Sequence, residues 1–571
     1  MSGITALCEL GGAPIAKADL AALGLGETPA SFAGHVTDPG LHPLADACSC
    51  DHRSTLVLGW PAGAEFEAAC KTLPGKADRS AAMRLLLDRF GPALPERVDG
   101  EWLLLDWQPG RLTLVQSRVR RDWLFVARRG DRVAICGDIR QIAALDWVGR
   151  ELDPLGFAAS FGRGPLRAGV PRQTILPGVQ RLEPGEFLIL TPGCEHRHRA
   201  ALPDVEHWQG SFAEAVEAAR ELLHRIIAER LAVAGPAGLL LSGGLDSSTL
   251  AALVTDLAGS ASGMPAFTSV APQTGGLIDE RAEAAAVAAR LGLQHIPVLP
   301  DCDVLVYRPA PEAYSQAGGP TLSPRHYLYR ALARAAQDHG VATLFDGAFG
   351  ELSLTSYMPL ETPRYRLRQV AKRLLGRGGD TGFDAPYHIR MAPHRAAALR
   401  PAVAELVARH RMAPASRKSD DAWGWIAGFD KSWQAPAILD HGVRGETPFR
   451  DPRLLALFAG FPARFLVHEG LNRAPARAMM AGRLPEEIRL RQTTGPFSPD
   501  YMTRIGSQAH AVLDRFATFR QAGADDWIDL GWLETALQQV GTRGPQSIAE
   551  AFEVQLTTMA AEFLVWWRGA G

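Results

Sequence analysis

Short apolar runs separated by turn residues fill the first 200 positions of the chain. The clearest runs are Ser54–Gly59, Glu101–Trp107, Leu112–Gln116, Trp123–Arg128 and Arg132–Cys136. Runs of this length, bounded by Gly, Pro and Asp, predict strands joined as antiparallel hairpins. Gly185–Leu190 supplies a last strand. We therefore predict an α+β sandwich domain that ends near residue 195, and we assign residues 1–200 to it.

The pattern then changes. Asp204–Ala234 carries apolar residues near helical spacing and predicts a long amphipathic helix. Beyond it, strand-like and helix-like segments alternate, which is typical of a parallel sheet with helices on both faces. The predicted strands are Leu239–Leu241, Pro265–Val270, His295–Leu299 and Val341–Phe345, and the predicted helices are Ser248–Leu257 and Asp279–Leu291. After Glu351 the chain becomes mostly helical, so residues 205–571 are predicted to form a second, α/β domain.

Composition narrows the class of protein. The chain has 571 residues, of which 47% are hydrophobic and 21% charged, as in ordinary globular proteins. Lys plus Arg total 60 and Asp plus Glu total 62, a net charge of −2, which excludes a globally basic nucleic-acid binder. No stretch approaches the roughly 20 apolar residues of a membrane helix, and the first residues do not form a secretory signal. With only seven cysteines, a reducing, cytoplasmic location is expected, with no membrane insertion.

A glycine- and serine-rich segment carries the strongest chemical signal. Between a predicted strand and a predicted helix the chain reads Leu240, Leu241, Ser242, Gly243, Gly244, Leu245, Asp246, Ser247 and Ser248. Glycines let a backbone bend tightly beside a ligand, and a helix N-terminus attracts anions. Serine hydroxyls add donors, and a carboxylate can hold Mg²⁺. A Walker A sequence is absent. A phosphate-binding loop is favoured over the alternative, a simple glycine turn.

This segment resembles the PP-loop of ATP pyrophosphatases, which cleave ATP between its α and β phosphates and form an adenylate. Four further segments are similar to asparagine-synthetase-like members of that family: Asp279–Arg281, Phe345–Glu351, Pro448–Leu454 and Leu484–Arg491. The resemblance implies a PP-loop α-hydrolase-like fold with adenine near Leu240 and Val270. It also implies that Asp346 and Gly347 join the ATP site and that Asp246 and Glu351 hold Mg²⁺, Glu351 standing where the family usually has Asp.

The first domain is similar to the glutaminase of the same family, an Ntn-hydrolase-like fold. The similarity lies in Met1–Ile4, Val98–Trp102, Arg118–Arg121, Gly137-Asp138 and Pro177–Gly185. A working glutaminase of this family has a cysteine directly after the initiator Met, whereas this chain has Ser2, and Cys8 is too far along. A serine hydroxyl is a much weaker nucleophile than a thiol near neutral pH. The expectation is a degenerate glutaminase with a structural role, so that ammonia from glutamine is not the nucleophile.

Three kinds of family member have lost the glutaminase: β-lactam synthetases, carbapenam synthetases and lasso-peptide cyclases. The β-lactam-forming enzymes share a Tyr and a Lys, where this chain has Ala348-Phe349 and Gln492–Thr494. Gly470–Met479 looks like the G-x-x-R-x-x-x-R-A segment of lasso-peptide cyclases. The resemblance leaves Arg473, Arg477 and Arg491 as candidates for the catalytic cation. The alternative is a basic helix with a solvated face.

The function that this resemblance implies is an ATP- and Mg²⁺-dependent lasso-peptide cyclase. Such an enzyme adenylates an Asp or Glu side chain of a precursor peptide, and the N-terminal amine of the peptide then closes an isopeptide ring. A leader peptidase and a leader-recognition protein are implied as partners. An arginine-rich stretch at 364–377 could dock the peptide, and aromatic residues at 423–433 could form a groove, although a solvated face and a core are the alternatives.

Two other functions stay open. One is an amide ligase of the asparagine or β-lactam type that acts on a small molecule, and the other is an inactive scaffold that binds nucleotide and peptide. His326 and Tyr327 could line an acceptor pocket, or they could be structural. The cysteine spacing predicts no zinc site.

Overall fold

The computed structural model describes residues 3–25, 31–37, 45–50, 53–73, 78–119, 124–161, 172–201, 205–258, 263–272, 277–320, 323–355, 398–403, 405, 442–493, 495 and 498–569. Ser2, Thr494, the arginine-rich stretch at 364–377 and the aromatic residues at 423–433 lie outside these ranges.

The strands described before residue 200 form two antiparallel sheets. The strands are β1 Gly3–Glu9, β2 Phe32–Thr37, β3 Ala45–Cys50, β4 Arg53–Ala62, β5 Asp99–Gln108, β6 Arg111–Gln116, β7 Phe125–Arg129, β8 Arg132–Cys136, β9 Val179–Arg181, β10 Glu186–Thr191 and β11 Cys194–Arg199. The five-stranded sheet has the order β2-β1-β8-β7-β9, and the six-stranded sheet has the order β11-β10-β6-β5-β4-β3. The predicted hairpins are confirmed, with β5 and β6 joined at the turn after Gln108.

The two sheets pack face to face. Ile4 and Ile135 of the first sheet share an apolar cluster with Leu58, Leu105 and Leu188 of the second. The outer face of the six-stranded sheet is covered by two helices, since its residues cluster with those of α2 and α3. The helices of this region are α1 Lys17–Ala22, α2 Ala64–Thr72, α3 Arg79–Phe90, α4 Leu94–Arg97, α5 Ile139–Ala143 and α6 Pro154–Phe161. The α+β sandwich expected here is therefore present.

A parallel sheet follows. Its strands are β12 Ala237–Leu240, β13 Pro265–Ser269, β14 Gln294–Val298, β15 Thr343–Phe345 and β16 Arg444–Glu446, in the order β14-β13-β12-β15-β16. The helices around it are α7 Phe212–Leu231, α8 Leu245–Ala258, α9 Arg281–Leu291, α10 Pro311–Ala317 and α11 His326–Asp338. Leu239 and Leu241 pack toward α7, α8 and α9, whereas Leu240 joins the cluster that contains α11, so both faces are covered. The expected parallel sheet is present, and β16 is a strand that the apolar pattern did not predict.

Two predicted helix starts were wrong. The helix α7 begins at Phe212 instead of Asp204, because Ser211 and Glu214 form a capping box that satisfies the free N–H groups of its first turn. The helix α8 begins at Leu245 instead of Ser248, which places Asp246 and two serines in its first turn. The second difference places Asp246, a predicted metal ligand, on the first turn of a helix and not in a loop.

Helices form most of the described chain after Glu446. They are α12 Pro452–Gly460, α13 Ala474–Met479, α14 Glu486–Arg489, α15 Tyr501–Ser507, α16 Ala509–Leu513, α17 Phe516–Gln521, α18 Leu530–Arg543 and α19 Ile548–Arg568, with a small hairpin of β17 Val467–His468 and β18 Leu471–Asn472. The long helix α19 belongs to the same apolar cluster as Phe125 of the five-stranded sheet and Leu344 of the parallel sheet. One core therefore runs from the N-terminal sandwich into the C-terminal region. The proposed division at residues 200–205 stays a prediction.

A buried ionic junction also joins the two regions. Arg230 of α7 is 1% exposed and lies 3.8 Å from Glu101 of β5, 3.4 Å from Glu446 of β16 and 3.4 Å from Asp451. Its guanidinium also stacks over Trp60, at 4.6 Å from the ring centre. We call these five side chains the junction cluster. It fixes β16, and with it the edge of the parallel sheet, against the N-terminal sandwich.

Candidate functional site

The strand order of the parallel sheet locates the site. The chain moves from β12 outward to β13 and β14, and then returns to the other side of β12 to form β15 and β16. Such a reversal opens a crevice at the carboxyl ends of the two central strands, where open α/β sheets bind their ligands. Leu239 pairs with Phe345, so β12 and β15 end side by side. The loops that leave them are the glycine loop and the acidic loop described next.

The glycine loop, residues 241–244, is folded back on the first turn of α8. The backbone N–H of Ser242 donates to Ser247 Oγ at 3.1 Å, and the N–H of Gly244 donates to Ser242 Oγ at 3.3 Å. Gly243 has a φ of +76°, and a Cβ there would lie 2.7 Å from Glu283 Cβ, so only glycine fits. Ser248 Oγ is buried and has no hydrogen-bond partner among the described residues. The loop thus places small residues and a helix N-terminus at the crevice, as the sequence predicted.

The acidic loop, residues 346–355, packs directly on α8. A Cβ at Gly347 would lie 2.7 Å from the backbone nitrogen of Ser247, and a Cβ at Gly350 would overlap Asp246 Oδ1. Both glycines are therefore needed for the acidic loop to pack on the first turn of α8. The loop is also tied to the neighbouring strand, because the N–H of Asp346 donates to the carbonyl of Glu446 at 2.8 Å. The packing of the two glycines on α8 places the predicted metal ligands near each other, since the charge of Asp246 acts on the carboxyl of Glu351.

The carboxylates of the site repel one another. Burial, followed by the charges of Asp246 and Asp346, raises the pKa of Glu351 to about 7. Burial also raises the pKa of Asp246, although a hydrogen bond from Thr355 and the charge of Arg473 oppose the shift. Mutual repulsion of this kind between buried carboxylates favours a cation bound near Asp246 and Glu351.

Two side chains hold the carboxylate of Asp246. The hydroxyl of Thr355 donates to its Oδ1, and the guanidinium of Arg473 lies 3.7 Å from its Oδ2. Arg473 has a φ of +59° and sits at the N-terminus of α13, just after the β17–β18 hairpin. The side chains of Arg473 and Asp246 remain 24% and 29% exposed, so both can still reach a ligand. Of the three candidate arginines, Arg473 forms an ion pair with Asp246 of the predicted ATP site.

The other two candidate arginines point elsewhere. Arg477 donates through Nε to the carbonyl of Asn472 at 2.6 Å, through Nη1 to that of Arg489, and through Nη2 to that of Arg491 at 2.8 Å. Its side chain is 4% exposed, and its hydrogen bonds hold α13 against the end of α14 and the residues that follow it. Arg491 Nη1 lies 2.6 Å from Glu280 Oε1 and 3.6 Å from Glu283 Oε1, and Glu283 packs against Gly243 of the glycine loop. The contacts of Arg477 are structural, and the catalytic roles of Arg477 and Arg491 stay predictions.

The predicted adenine side of the site lies on β12 and β13. Leu240 and Val270 are 6% and 5% exposed, and Val270 donates its N–H to the carbonyl of Val298 at 2.9 Å. Just beyond Val270, the carboxylate of Asp279 accepts the N–H of Ala271 at 2.7 Å and pairs with Arg281. These contacts of Asp279 shape the turn after β13. Only the family resemblance of Asp279–Arg281 pointed to this part of the chain.

The donor set suits Mg²⁺ shared with phosphate. No group of three His, Cys, Asp or Glu side chains is arranged to hold a metal ion within the ranges that the structure describes. Mg²⁺ is usually bound by one or two carboxylates together with substrate phosphates, and carboxylate oxygens are its preferred protein ligands. Asp246 and Glu351 meet that requirement, with the orphaned hydroxyl of Ser248 and the start of α8 beside them for phosphate.

His326 and Tyr327 form part of a buried polar network. His326 Nε2 lies 2.8 Å from the carbonyl of Val306, and burial lowers the pKa of the imidazole to about 4. Tyr327 donates to Asp500 Oδ1 at 3.2 Å, and burial raises the pKa of its hydroxyl. Both contacts favour the structural interpretation over an acceptor pocket.

Comparison with known proteins identifies the family. A model of the asparagine synthase family matches residues 218–568, more than half of the chain. An amidase of Gibberella zeae, named amidase chry2, is 27% identical over 46% of this chain and 40% of its own length. Asparagine synthetase [glutamine-hydrolyzing] 3 of Bacillus subtilis is 26% identical over 28% of this chain and 26% of its own length. The chain thus spans less than half the length of these curated relatives.

Similarity to solved structures is weak. Glutamine phosphoribosylpyrophosphate amidotransferase from B. subtilis matches 60% of this chain and 81% of its own, with 10% identity and a TM-score of 0.23. A score this low does not establish a shared fold. None of the helices in the described part of the chain has the length and apolar content needed to cross a bilayer. On the family model, which covers β12 through α19 and both loops of the site, this chain belongs to the asparagine synthase family.

Proposed function

We propose that this protein is an ATP-dependent, AMP- and pyrophosphate-forming carbon–nitrogen ligase that closes a precursor peptide into a lasso macrolactam. The observation that carries the ligase part is the packing of the acidic loop on the first turn of α8 at the strand-order reversal, which brings Glu351 near Asp246. The family assignment supports the same chemistry. The peptide substrate rests on sequence resemblance in Gly470–Met479 and on Ser2 in place of a catalytic cysteine.

Different residues would bind the phosphates, hold the cation and orient the carboxylate of Asp246. The glycine loop and the first turn of α8 bind the phosphates through N–H groups and serine hydroxyls. Asp246 and Glu351 hold Mg²⁺, which neutralises phosphate charge when bound. Arg473, at 3.7 Å from Asp246, orients that carboxylate and adds positive charge at the same side of the site. The enzyme's main contribution is therefore the positioning of two reactants, together with electrostatic stabilisation of the leaving pyrophosphate.

The proposed reaction has two steps. A side-chain carboxylate oxygen of the peptide forms a bond to the α-phosphorus of ATP while the bond between that phosphorus and the bridging oxygen breaks, and pyrophosphate leaves. The N-terminal amine of the peptide then attacks the activated carbonyl carbon. A C–N bond forms, the C–O bond to AMP breaks, and the amine gives up one proton. The peptide loses one water in total.

Mass spectrometry tests this proposal. The full chain is incubated with ATP, Mg²⁺, a candidate precursor peptide and the leader peptidase that releases its N-terminus. We expect a product lighter by one water, with AMP and pyrophosphate in equal amounts. Formation of ADP and orthophosphate would overturn the ligase assignment. Equimolar AMP and pyrophosphate with an unchanged peptide would retain the ligase and overturn the peptide substrate.

A second candidate is an asparagine-synthetase-like ligase that acts on a small molecule. The 26% identity to the Bacillus subtilis asparagine synthetase favours it. The test is incubation with aspartate, ammonium and ATP, followed by amino-acid analysis. Asparagine as product would select this candidate, and its absence in the presence of peptide cyclisation would exclude it.

A further inference from the structure

Thr355 lies at the end of the acidic loop and has no counterpart among the residues that the sequence motifs single out. Its side chain is fully buried, at 0% exposure. Its N–H donates to the carbonyl of Gly350 at 2.9 Å, which closes the loop on itself. Its hydroxyl donates to Asp246 Oδ1. A loop residue is thus bonded to the first turn of α8.

The surroundings of Asp246 leave the carboxylate little freedom. Gly350 lies against Oδ1, so closely that a methyl group there would overlap it. Arg473 lies on the other side, 3.7 Å from Oδ2. Burial raises the pKa of Asp246, and the hydrogen bond from Thr355 and the charge of Arg473 both favour its charged form. With Oδ1 engaged by the buried hydroxyl, Oδ2 is the oxygen on the side of the partly exposed Arg473.

We infer that Thr355 is the positioning residue of the site: its hydroxyl fixes the rotamer of Asp246 and so presents Oδ2 to the cation of the nucleotide complex. This inference rests on the proposed function for the identity of that cation. Partners that orient a metal ligand typically change metal affinity by about 10–100-fold when they are removed. Thr355 acts through Asp246 and does not itself touch the reactants.

The experiment compares three variants of the full chain. Thr355→Val removes the hydroxyl at nearly constant volume, and Thr355→Ser restores it. Thr249→Val is the matched control, because Thr249 is also fully buried, lies on α8, and has a hydroxyl with no hydrogen-bond partner within the described residues. Mn²⁺ binding is measured by electron paramagnetic resonance in the presence of α,β-methylene-ATP, and thermal unfolding is recorded for each protein.

We expect Thr355→Val to weaken Mn²⁺ binding by about 10-fold or more. Thr355→Ser should stay within about threefold of the wild type, a factor that corresponds to less than 1 kcal/mol, and Thr249→Val should leave binding unchanged. Equal Mn²⁺ affinity in the wild type and Thr355→Val overturns the inference. So does a loss of affinity that Thr355→Ser shares, because a packing defect would explain it.

Crystal structures of the nucleotide-free proteins decide the inference even when the wild type binds no nucleotide. In that case the proposed function fails, and the position of Asp246 still tests Thr355. We expect Asp246 to keep its rotamer in Thr355→Ser and to turn away from residue 355 in Thr355→Val. An unchanged Asp246 in Thr355→Val shows that packing alone sets its orientation and overturns the inference.

Discussion

Two clusters of charged side chains lie next to each other in this protein, and they differ in how their charges are balanced. In the junction cluster, Arg230 lies between Glu101, Glu446 and Asp451, and all four are almost completely buried. Although burial alone would raise it, Arg453 and Arg230 hold the pKa of Asp451 below its usual value. Arg444 lies 3.2 Å from Glu446 and Arg453 lies 2.9 Å from Asp451, so three arginines balance the three carboxylates and the cluster needs no ligand.

The site cluster is the opposite case. Asp246, Asp346 and Glu351 lie near Arg473, and burial together with mutual repulsion leaves the pKa of Glu351 at about 7. The two clusters touch, because the carbonyl of Glu446 accepts the N–H of Asp346. Buried charge by itself therefore does not mark a functional site. Buried charge that is not balanced and lies beside an open crevice marks a functional site, whereas balanced buried charge marks a structural contact.

Removal of Arg230 should give the largest effect on stability. Arg230→Ala leaves three buried carboxylates without their shared cation, and breaking such a network costs about 3–5 kcal/mol. Urea unfolding measures the loss. The control is Arg520→Ala, which breaks an exposed pair with Glu534 at 3.6 Å and should cost at most about 1 kcal/mol. Equal losses in the two variants would contradict the structural role of the junction cluster.

Removal of Asp246 should affect chemistry instead. Asp246→Asn deletes a proposed cation ligand, and we expect pyrophosphate release to fall by at least about 100-fold. Stability should hold or improve, because burial disfavours the charged form of this carboxyl. The control is Asp256→Asn on the same helix, where the carboxylate pairs with Arg483 at the surface. Pyrophosphate release at the wild-type rate in Asp246→Asn would show that the site is misassigned.

The pH dependence of stability separates the clusters further. Glu351 has a pKa of about 7 in the folded protein and an ordinary value of 4.5. Between these values the folded state binds more protons than the unfolded state, so the free energy of unfolding falls as pH rises from 4.5 through 7. At about 1.4 kcal/mol per unit, the loss is at most about 3 kcal/mol.

Urea unfolding of the ligand-free protein at pH 5 and pH 8 checks this sign. Glu351→Gln should lose less stability than the wild type over that interval, because Gln does not titrate. Glu487→Gln, at an exposed position on α14, serves as the control and should follow the wild type. A wild-type protein that gains stability toward pH 8 relative to Glu351→Gln would refute the assigned shift.

Features set by neighbouring residues could be predicted from the sequence, whereas features set by contacts between residues far apart in the chain could not. The parallel sheet and the glycine loop were predictable, because apolar periodicity and the residues Ser242–Ser248 are local signals. The start of α8 was placed too late, since the glycine loop masks the point at which helical backbone begins. Asp246 and Glu351 were matched through family resemblance, and the structure brings them together.

Other features could not be predicted because their partners are far apart in the chain. Arg230 meets Glu101 and Glu446 across the two regions, and no local pattern links these positions. The three-residue strand β16 is too short for periodicity to reveal, and it is recognised only by its pairing with β15. Thr355 belongs to no recognised sequence motif. Its contact with Asp246 forms only because the acidic loop folds onto α8.

Two neighbouring arginines should differ in the same way as the two clusters: Arg477 as a structural residue and Arg473 as a residue of the site. Arg477 donates to three backbone carbonyls and is buried, so Arg477→Ala leaves those carbonyls without their donor. Hydrogen bonds to a charged group are worth about 1.5–3 kcal/mol, and we expect a loss of stability in that range. Arg473 instead faces the uncompensated carboxylate of Asp246 while remaining partly exposed.

Arg473→Ala should therefore cost less than about 1 kcal/mol in urea unfolding, as for other partly exposed ion pairs. It should lower pyrophosphate release by about 10-fold or more, because the positive charge beside the phosphates is lost. Measuring both quantities on both variants gives a crossed result: stability falls mainly in Arg477→Ala, and activity per folded molecule falls mainly in Arg473→Ala. If the two variants lose stability and activity in the same ratio, the pair acts as one unit, and the distinction between a balanced joint and an unbalanced site does not extend to α13.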